Sequence, residues 1–177
     1  MSLQSHFAPW SGQAYRHIPA GSQYDVLDFR FAGRSSNNRW NSQRHPTLYL
    51  AGDEGVLIAE WGRHFEVDRS LDLRSRLVER SVFRLELKID VVLDLRQEDV
   101  WSELSLEGAP TCFLDLSVAR ATANYIRATT EVQAILVPSV GFLDQLDRWC
   151  LVLFLEKLPQ TPQFITDVVP HGTLRID

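Results

Sequence analysis

Residues 37–65 read NNRWNSQRHPTLYLAGDEGVLIAEWGRHF, and this stretch decides the centre of the fold. Within it, TLYLA (47–51) is a short, mainly apolar run of the kind that forms a buried strand. Asp53 follows at a position suited to a helix N-cap. We therefore predict a strand over 47–51 and a helix over about residues 54–65.

The clearest further strand lies in SVFRLELKI (81–89), where apolar and charged residues alternate strictly. A period of two places one set of side chains on each face of a strand. The run VVLDL (91–95) is expected to continue this strand or to follow it directly. The apolar set is Phe83, Leu85, Leu87 and Ile89.

The remaining elements are mixed rather than regularly alternating. QAYRHIP near the start indicates a first short strand, and VQAILVP and WCLVLFLE suit central strands. QEDVWSELS predicts a short helix and CFLDLSVARATANYIRA (112–128) a long one. Because there is no βαβ alternation and no glycine-rich phosphate loop, we predict an α+β fold in one domain, residues 1–177, rather than a Rossmann fold.

The composition and charge disfavour several classes of function. The chain has 177 residues, 45% hydrophobic and 23% charged, with a formal net charge of -5. Its basic residues are scattered singly or in pairs, which disfavours direct nucleic-acid binding. No secretory signal is visible, and no stretch approaches the roughly 20 apolar residues of a membrane span. We expect a cytoplasmic protein that does not bind membranes.

The candidate metal and hydrolase motifs are weak. Cys112 and Cys150 lie far apart among apolar neighbours, so they are interpreted as buried free thiols. The histidines show neither HExxH spacing nor a G-x-S-x-G nucleophile motif near them. We expect no metal site and no serine-hydrolase triad.

Glu60 is the most informative charged residue, because it lies within the apolar helical pattern VLIAEWGRHF. Helical spacing places it near Arg63 and His64, and an exposed ion pair with either would contribute only about 0.3–0.5 kcal/mol. The other interpretation is a carboxylate at the border of a packed surface, which is costly unless it is paired or poised in a cleft. Both interpretations remain open from the residues alone.

Four other residues carry two interpretations each. Arg16 and Arg39 are either surface cations or the paired guanidinium groups that suit a pyrophosphate. Tyr49 is either a core residue or the floor of a pocket, and its hydroxyl needs a partner if it is buried. Ser139 follows ILVP at the predicted end of a buried strand, where active sites and ordinary turns are both found.

The order of these motifs resembles the RES-domain family, the toxin components of Xre–RES toxin–antitoxin pairs. The resemblance rests on YR near the start, RWN, PTLYLA, a helix carrying AE, ILVPS and a final apolar strand, over roughly residues 13–157. It implies a fold like that of ADP-ribosyltransferase toxins, with flanking helices around a central sheet. It also implies consumption of NAD⁺ as substrate by hydrolysis or phosphorolysis, or transfer of ADP-ribose to a protein.

The resemblance also implies site residues and partners. The family's arginine, glutamate and serine fall on Arg16, Glu60 and Ser139, with Arg39 and Tyr49 at further pocket positions. Ser117 in LDLSVARA aligns about as well with a polar pocket position, so the two serines remain alternatives. The partners to be expected from the resemblance are an Xre-type antitoxin and a second copy of the chain in a homodimer.

In the implied mechanism Glu60 stabilises the positive charge that develops on the ribose, in a hollow that it shares with Arg16. Arg16, with Arg39, holds the pyrophosphate, Tyr49 packs on nicotinamide, and a serine orients the leaving group. A non-catalytic binding module with an internal pair of Arg16 and Glu60 is the rival from another class. This chain departs from the family pattern in SSNNRWN, which lacks the usual glycines, and in SQRH, which replaces the expected proline.

Overall fold

Six strands and three helices form the part of the chain that the computed structural model describes, which is residues 2–43, 45–67, 78–159 and 163–176. Side chains are described over 2–43, 45–62, 79–159 and 163–175. The strands are β1 (Phe7–Pro19), β2 (Thr47–Ala51), β3 (Val78–Asp94), β4 (Ala134–Pro138), β5 (Trp149–Phe154) and β6 (Ile165–Ile176). The helices are α1 (Glu54–Val67), α2 (Glu98–Glu103) and α3 (Leu116–Thr129), and 3₁₀ turns occupy Leu3–His6, Thr111–Leu114 and Leu155–Lys157.

The strands pair in the order β1-β2-β5-β4-β3-β6, and a further pairing of β1 with β3 closes the first five into a ring. The pairings are antiparallel except for the parallel contact of β3 with β4. β3 is long enough to pair with β1 along one edge and with β6 and then β4 along the other. The two faces of this closed sheet are covered by different parts of the chain.

The alternation within β3 buries three of the four predicted residues, whereas Phe83 is only half-buried, next to a register shift between Val82 and Phe83. Leu85, Leu87 and Ile89 are almost fully buried in a core formed mainly by strand residues, among them Leu50 and Leu153. The other face of the sheet is covered by the helices. The residues of that second core include Val56, Leu57, Phe113, Ala119, Ala123, Ile126, Val137 and Val152.

Helix α1 begins where its cap residue predicts. The Asp53 carboxylate accepts a hydrogen bond from the Val56 backbone N–H at 2.9 Å, which satisfies one of the free donors of the first turn. Val56, Leu57 and Trp61 are buried, whereas Ile58 is exposed. The helix therefore packs one side on the sheet and leaves the other in water.

Most of the predicted elements are confirmed, with three differences. β1 is much longer than the short strand predicted from QAYRHIP, because β3 supplies a pairing edge along nearly its whole length. The long helix predicted over 112–128 is wrong in its first residues. Asp115 caps α3 by accepting from the Ser117 N–H, so the helix begins at Leu116, after the 3₁₀ turn. β6 was not predicted, because Pro170 and Gly172 interrupt the residue pattern that is typical of a strand.

Neither cysteine forms a disulfide, as predicted, although only Cys150 is buried and Cys112 is half-buried. Within the described ranges no helix is both long and apolar enough to span a bilayer. The α+β class and the central sheet are confirmed.

Candidate active site

Glu60 and Ser139 meet in the folded chain, although 79 residues separate them in sequence. The Ser139 hydroxyl donates a hydrogen bond to Glu60 Oε1 at 2.7 Å. Ser139 is 1% exposed, and Glu60 is half-buried on α1. A hydroxyl–carboxylate pair at this length is a charge-assisted hydrogen bond of the stronger kind.

The backbone on both sides of Ser139 is also fixed. Strand β4 is buried at every residue and ends at Pro138, so Ser139 is the first residue beyond the sheet. Its N–H donates to the Arg148 carbonyl at 2.9 Å, and its own carbonyl accepts from the Phe142 N–H at 2.9 Å. The hydroxyl therefore projects towards α1 from a turn that is held at two points.

Glu60 lies one helical turn after Val56, which is fully buried. Its carboxylate is consequently at the border of the packed face of α1, as the sequence predicts. The side chains of Arg63 and His64, the alternative partners of Glu60, lie outside the described part of the chain.

The Tyr49 hydroxyl has two partners in the RWN segment. It accepts from the Trp40 N–H at 3.0 Å and donates to the Asn41 side-chain oxygen at 2.7 Å. Burial raises the pKa of Tyr49 well above its ordinary value. The partner that the sequence demands for a buried hydroxyl is therefore present, and it ties β2 to the loop before it.

Arg39 reaches from the same segment to the start of α3. Its Nη1 donates to the carbonyl oxygens of Phe113 and Leu114 at 2.5 and 2.8 Å. In the opposite direction, the guanidinium of Arg120 in α3 donates to the carbonyl oxygens of Asn38 at 2.9 Å and Ser36 at 2.5 Å. Arg39 thus ties the RWN segment to the 3₁₀ turn before α3, and Arg120 ties α3 to the residues just before that segment.

Arg16 lies on the face of β1 opposite the face that α1 covers. Alternate residues of a strand point to opposite faces, and the His17 ring lies 5.5 Å from the Trp61 ring of α1. The Arg16 guanidinium stacks instead on Phe29, 4.9 Å from the ring centroid, and Nη2 donates to the Asp28 carbonyl at 3.4 Å. The described contacts of Arg16 are therefore with the β1–β2 loop.

One donor of Arg16 remains without a protein partner. Nη1 is buried and makes no hydrogen bond within the described residues. Burial also lowers the pKa of this guanidinium to about 10, although Asp28 and Asp25 oppose the shift. An unpaired buried guanidinium donor is a candidate contact for an anionic ligand.

Ser117 is exposed at the start of α3, where its hydroxyl donates to the Asp115 carboxylate at 2.7 Å. Its described role is local, in the cap of the helix. Of the two candidate serines, Ser139 is the one whose hydroxyl contacts Glu60.

The structure thus joins Glu60 to Ser139, and separately joins Tyr49 and Arg39 to the RWN segment and α3. The described contacts do not bring Arg16 and Glu60 together, because Arg16 lies on the face of β1 away from α1. This placement does not support the hollow that the resemblance implies for the two residues. Sequence reasoning missed Arg120 and Arg148, because an arginine that bonds a group distant in the sequence, whether a carbonyl or a carboxylate, has no local pattern. Among the residues described, no group of three or more His, Cys, Asp or Glu side chains is arranged to hold a metal ion.

Comparison with known proteins gives the family. The RES domain model matches residues 13–177. The chain belongs to the RES domain family. The resemblance drawn from the YR, RWN and ILVPS motifs is therefore confirmed.

One solved structure similar to this RES domain is the crystal structure of the M. tuberculosis MbcT–MbcA toxin–antitoxin complex. The match has 19% sequence identity and a TM-score of 0.63, and it covers 96% of this chain and 90% of the other. At that identity the likeness supports the fold alone. No curated protein sequence matches the chain significantly.

Proposed function

We propose that this RES domain protein is the toxin of a toxin–antitoxin pair and that it consumes NAD⁺ by cleaving the nicotinamide–ribose bond. The observation that carries the proposal is the hydrogen bond between Ser139 and Glu60. It places a carboxylate and a hydroxyl together at the end of a buried strand, in a chain whose family is established. The fold shared with a solved toxin–antitoxin complex supports the biological role.

Glu60 supplies the charge that this reaction needs. As nicotinamide leaves, positive charge develops on the ribose, much as in glycoside hydrolysis. At about 4 Å and an effective dielectric constant of about 20, two unit charges attract by roughly 4 kcal/mol. A carboxylate held beside the ribose stabilises the charged transition state more than the ground state, which is the requirement for catalysis.

Ser139 keeps that carboxylate in place and still has capacity for the substrate. A hydroxyl has one donor and two acceptor positions, and the donor is used on Glu60. Its acceptor positions suit a ribose hydroxyl or the amide of nicotinamide. Because Ser139 is almost fully buried and its backbone is fixed on both sides, little motion is needed at the moment of reaction.

The cations and the tyrosine provide binding rather than chemistry. Arg16, on the face of β1 away from α1, offers to a phosphate oxygen the buried Nη1 that has no hydrogen-bond partner among the described residues. Arg39 assists from the RWN segment, while the Tyr49 ring packs against nicotinamide on the β2 side. Water or inorganic phosphate then attacks the ribose carbon from which nicotinamide departs.

A toxin of this kind requires a partner that restrains it. The solved neighbour is a complex of a toxin with its antitoxin. Because this chain shares the fold of that structure, we propose that it also has an antitoxin protein as its partner. The family resemblance implies an antitoxin of the Xre type.

Product analysis of the purified protein tests the proposal. Incubation with NAD⁺ is expected to release nicotinamide, with ADP-ribose formed in phosphate-free buffer or a phosphorylated ADP-ribose in phosphate buffer. Labelled NAD⁺ mixed with cell lysate distinguishes transfer of ADP-ribose to protein, which would appear by mass spectrometry as modified peptides. If NAD⁺ stays intact with protein and substrate at equal concentrations, the proposed function is wrong.

A further inference from the structure

The loop that follows β4, residues 139–148, lies directly against α1. Gly141 approaches so closely that a Cβ added there would be 3.2 Å from Ala59 Cβ and 3.7 Å from Ser139 Oγ. Ala59 precedes Glu60 in the helix. The distance between the loop backbone and α1 therefore controls the distance between the Ser139 hydroxyl and the Glu60 carboxylate.

Arg148, at the end of this loop, bonds the cap of the same helix. Its Nη1 lies 3.1 Å from Asp53 Oδ1, the atom that also accepts the Val56 N–H at 2.9 Å. The two side chains of the ion pair are 34% and 44% exposed, so the pair adds little to global stability. Its geometric effect is to attach the loop to the first turn of α1.

The same residue holds Ser139 through its backbone. The Arg148 carbonyl accepts the Ser139 N–H, and the Arg148 guanidinium stacks on Phe142, 4.7 Å from the ring centroid. Phe142 in turn donates its N–H to the Ser139 carbonyl. One arginine thus contacts both the residue that carries the hydroxyl and the cap of the helix that carries the carboxylate.

We propose that Arg148 is a positioning residue, which sets the Ser139–Glu60 distance by locking loop 139–148 to the first turn of α1. The inference rests on the proposed function for its kinetic readout. It does not require Arg148 to contact NAD⁺. Loss of the lock is expected to lower kcat more than it raises KM, because it displaces the reacting groups rather than the groups that hold the substrate.

Two glycines of α1 offer a matched test. A Cβ at Gly55 would lie 2.5 Å from Arg148 Nη1 and 3.0 Å from Asp53 Oδ1, so both side chains of the Arg148–Asp53 ion pair would have to shift. A Cβ at Gly62 would meet nothing within 4 Å among the residues whose side chains the structure describes. Alanine is a better helix former than glycine at either position, so the two substitutions differ chiefly in their effect on the Arg148–Asp53 ion pair.

The experiment compares Gly55→Ala with Gly62→Ala, and Arg148→Ala with Arg148→Lys. Gly55→Ala and Arg148→Ala are expected to lower kcat by about tenfold or more, since small misplacements of reacting groups have effects of this order. Gly62→Ala is expected to keep the wild-type kcat. Arg148→Lys retains a cation for Asp53 and is expected to keep more activity than Arg148→Ala.

Hydrogen–deuterium exchange of the amides in loop 139–148 provides a readout without substrate. Faster exchange in Gly55→Ala and Arg148→Ala, and unchanged exchange in Gly62→Ala, support the lock. Equal exchange in all of them overturns it, as does an unchanged kcat in Gly55→Ala. A wild-type protein that leaves NAD⁺ intact would end the proposed function, while the exchange data would still decide the role of Arg148.

Discussion

The Glu60–Ser139 pair and the RWN segment (residues 39–41) contain residues of the same family pattern, yet their hydrogen bonding differs. In the pair, two side chains bond each other, and Ser139 retains acceptor capacity. In the segment, Arg39 donates to backbone carbonyls of residues 113 and 114, and the Asn41 side chain accepts the Tyr49 hydroxyl. The difference teaches that a motif marks both residues that act on a ligand and residues that hold the others in place.

The largest expected effect on kcat comes from a substitution in the Glu60–Ser139 pair. Glu60→Gln keeps the shape of the side chain and removes its charge, so kcat is expected to fall by roughly 100- to 1,000-fold, as for loss of one group that stabilises transition-state charge. Glu98→Gln, at an exposed site in α2, is the matched control and should keep the wild-type rate. A Glu60→Gln protein that consumes NAD⁺ at the wild-type rate would remove Glu60 from the mechanism.

Arg39→Ala tests the holding role of the segment. The carbonyls of Phe113 and Leu114 lose a charged donor, and the free energy of unfolding is expected to fall by roughly 1–2 kcal/mol. Urea denaturation measures this change. Arg34→Ala, an exposed arginine whose described contact is with Phe31, should change stability by less than about 0.5 kcal/mol. Equal stabilities of the two variants would contradict the holding role and leave Arg39 as a ligand-binding residue.

The pH dependence of stability tests whether the Tyr49 hydroxyl, which bonds the RWN segment, is buried. Because its pKa is raised in the folded protein, its contribution to stability is fully present below the unfolded pKa of about 10 and is lost as pH rises above that value. Between about pH 8 and about pH 11, the wild type is expected to lose about 1 kcal/mol more stability than Tyr49→Phe. Denaturation of both proteins at the two pH values measures the difference, and parallel losses would be contrary to burial of this hydroxyl.

The smallest expected effect is that of Ser117→Ala. Asp115 still accepts the Ser117 N–H and caps α3, so stability should change by no more than about 0.5 kcal/mol. The kcat for NAD⁺ is expected to stay at the wild-type value, because Ser139 is the serine that contacts Glu60. A large loss of kcat with intact folding would instead assign the family's serine to position 117.

The sequence predicted those elements that depend on interactions between residues close together in the chain. The alternation in β3 and the Asp53 cap of α1 each arise within a few residues, and both are confirmed. β6 escaped prediction because Pro170 and Gly172 are unfavourable in strands, and only the long edge of β3 makes the pairing possible.

The site was predictable residue by residue but not in its geometry. Nothing near Ser139 or Ser117 in the sequence says which of them meets a carboxylate 79 or 57 positions away, since that depends on how β4 and α1 pack. Strand alternation does place Arg16 opposite His17, but the position of α1 over His17 is a tertiary contact. Long-range packing, rather than local preference, determines these relationships.

A double-mutant cycle on kcat tests most directly whether Glu60 and Ser139 act as one unit on NAD⁺. Glu60→Gln, Ser139→Ala and the combined variant are compared with the wild type in nicotinamide release. We expect Ser139→Ala alone to slow the reaction by about tenfold or more, in line with a hydrogen bond to a charged group, and to have almost no further effect once Glu60 is replaced. Two effects that simply multiply would contradict the account, because they would show that the serine and the glutamate act independently.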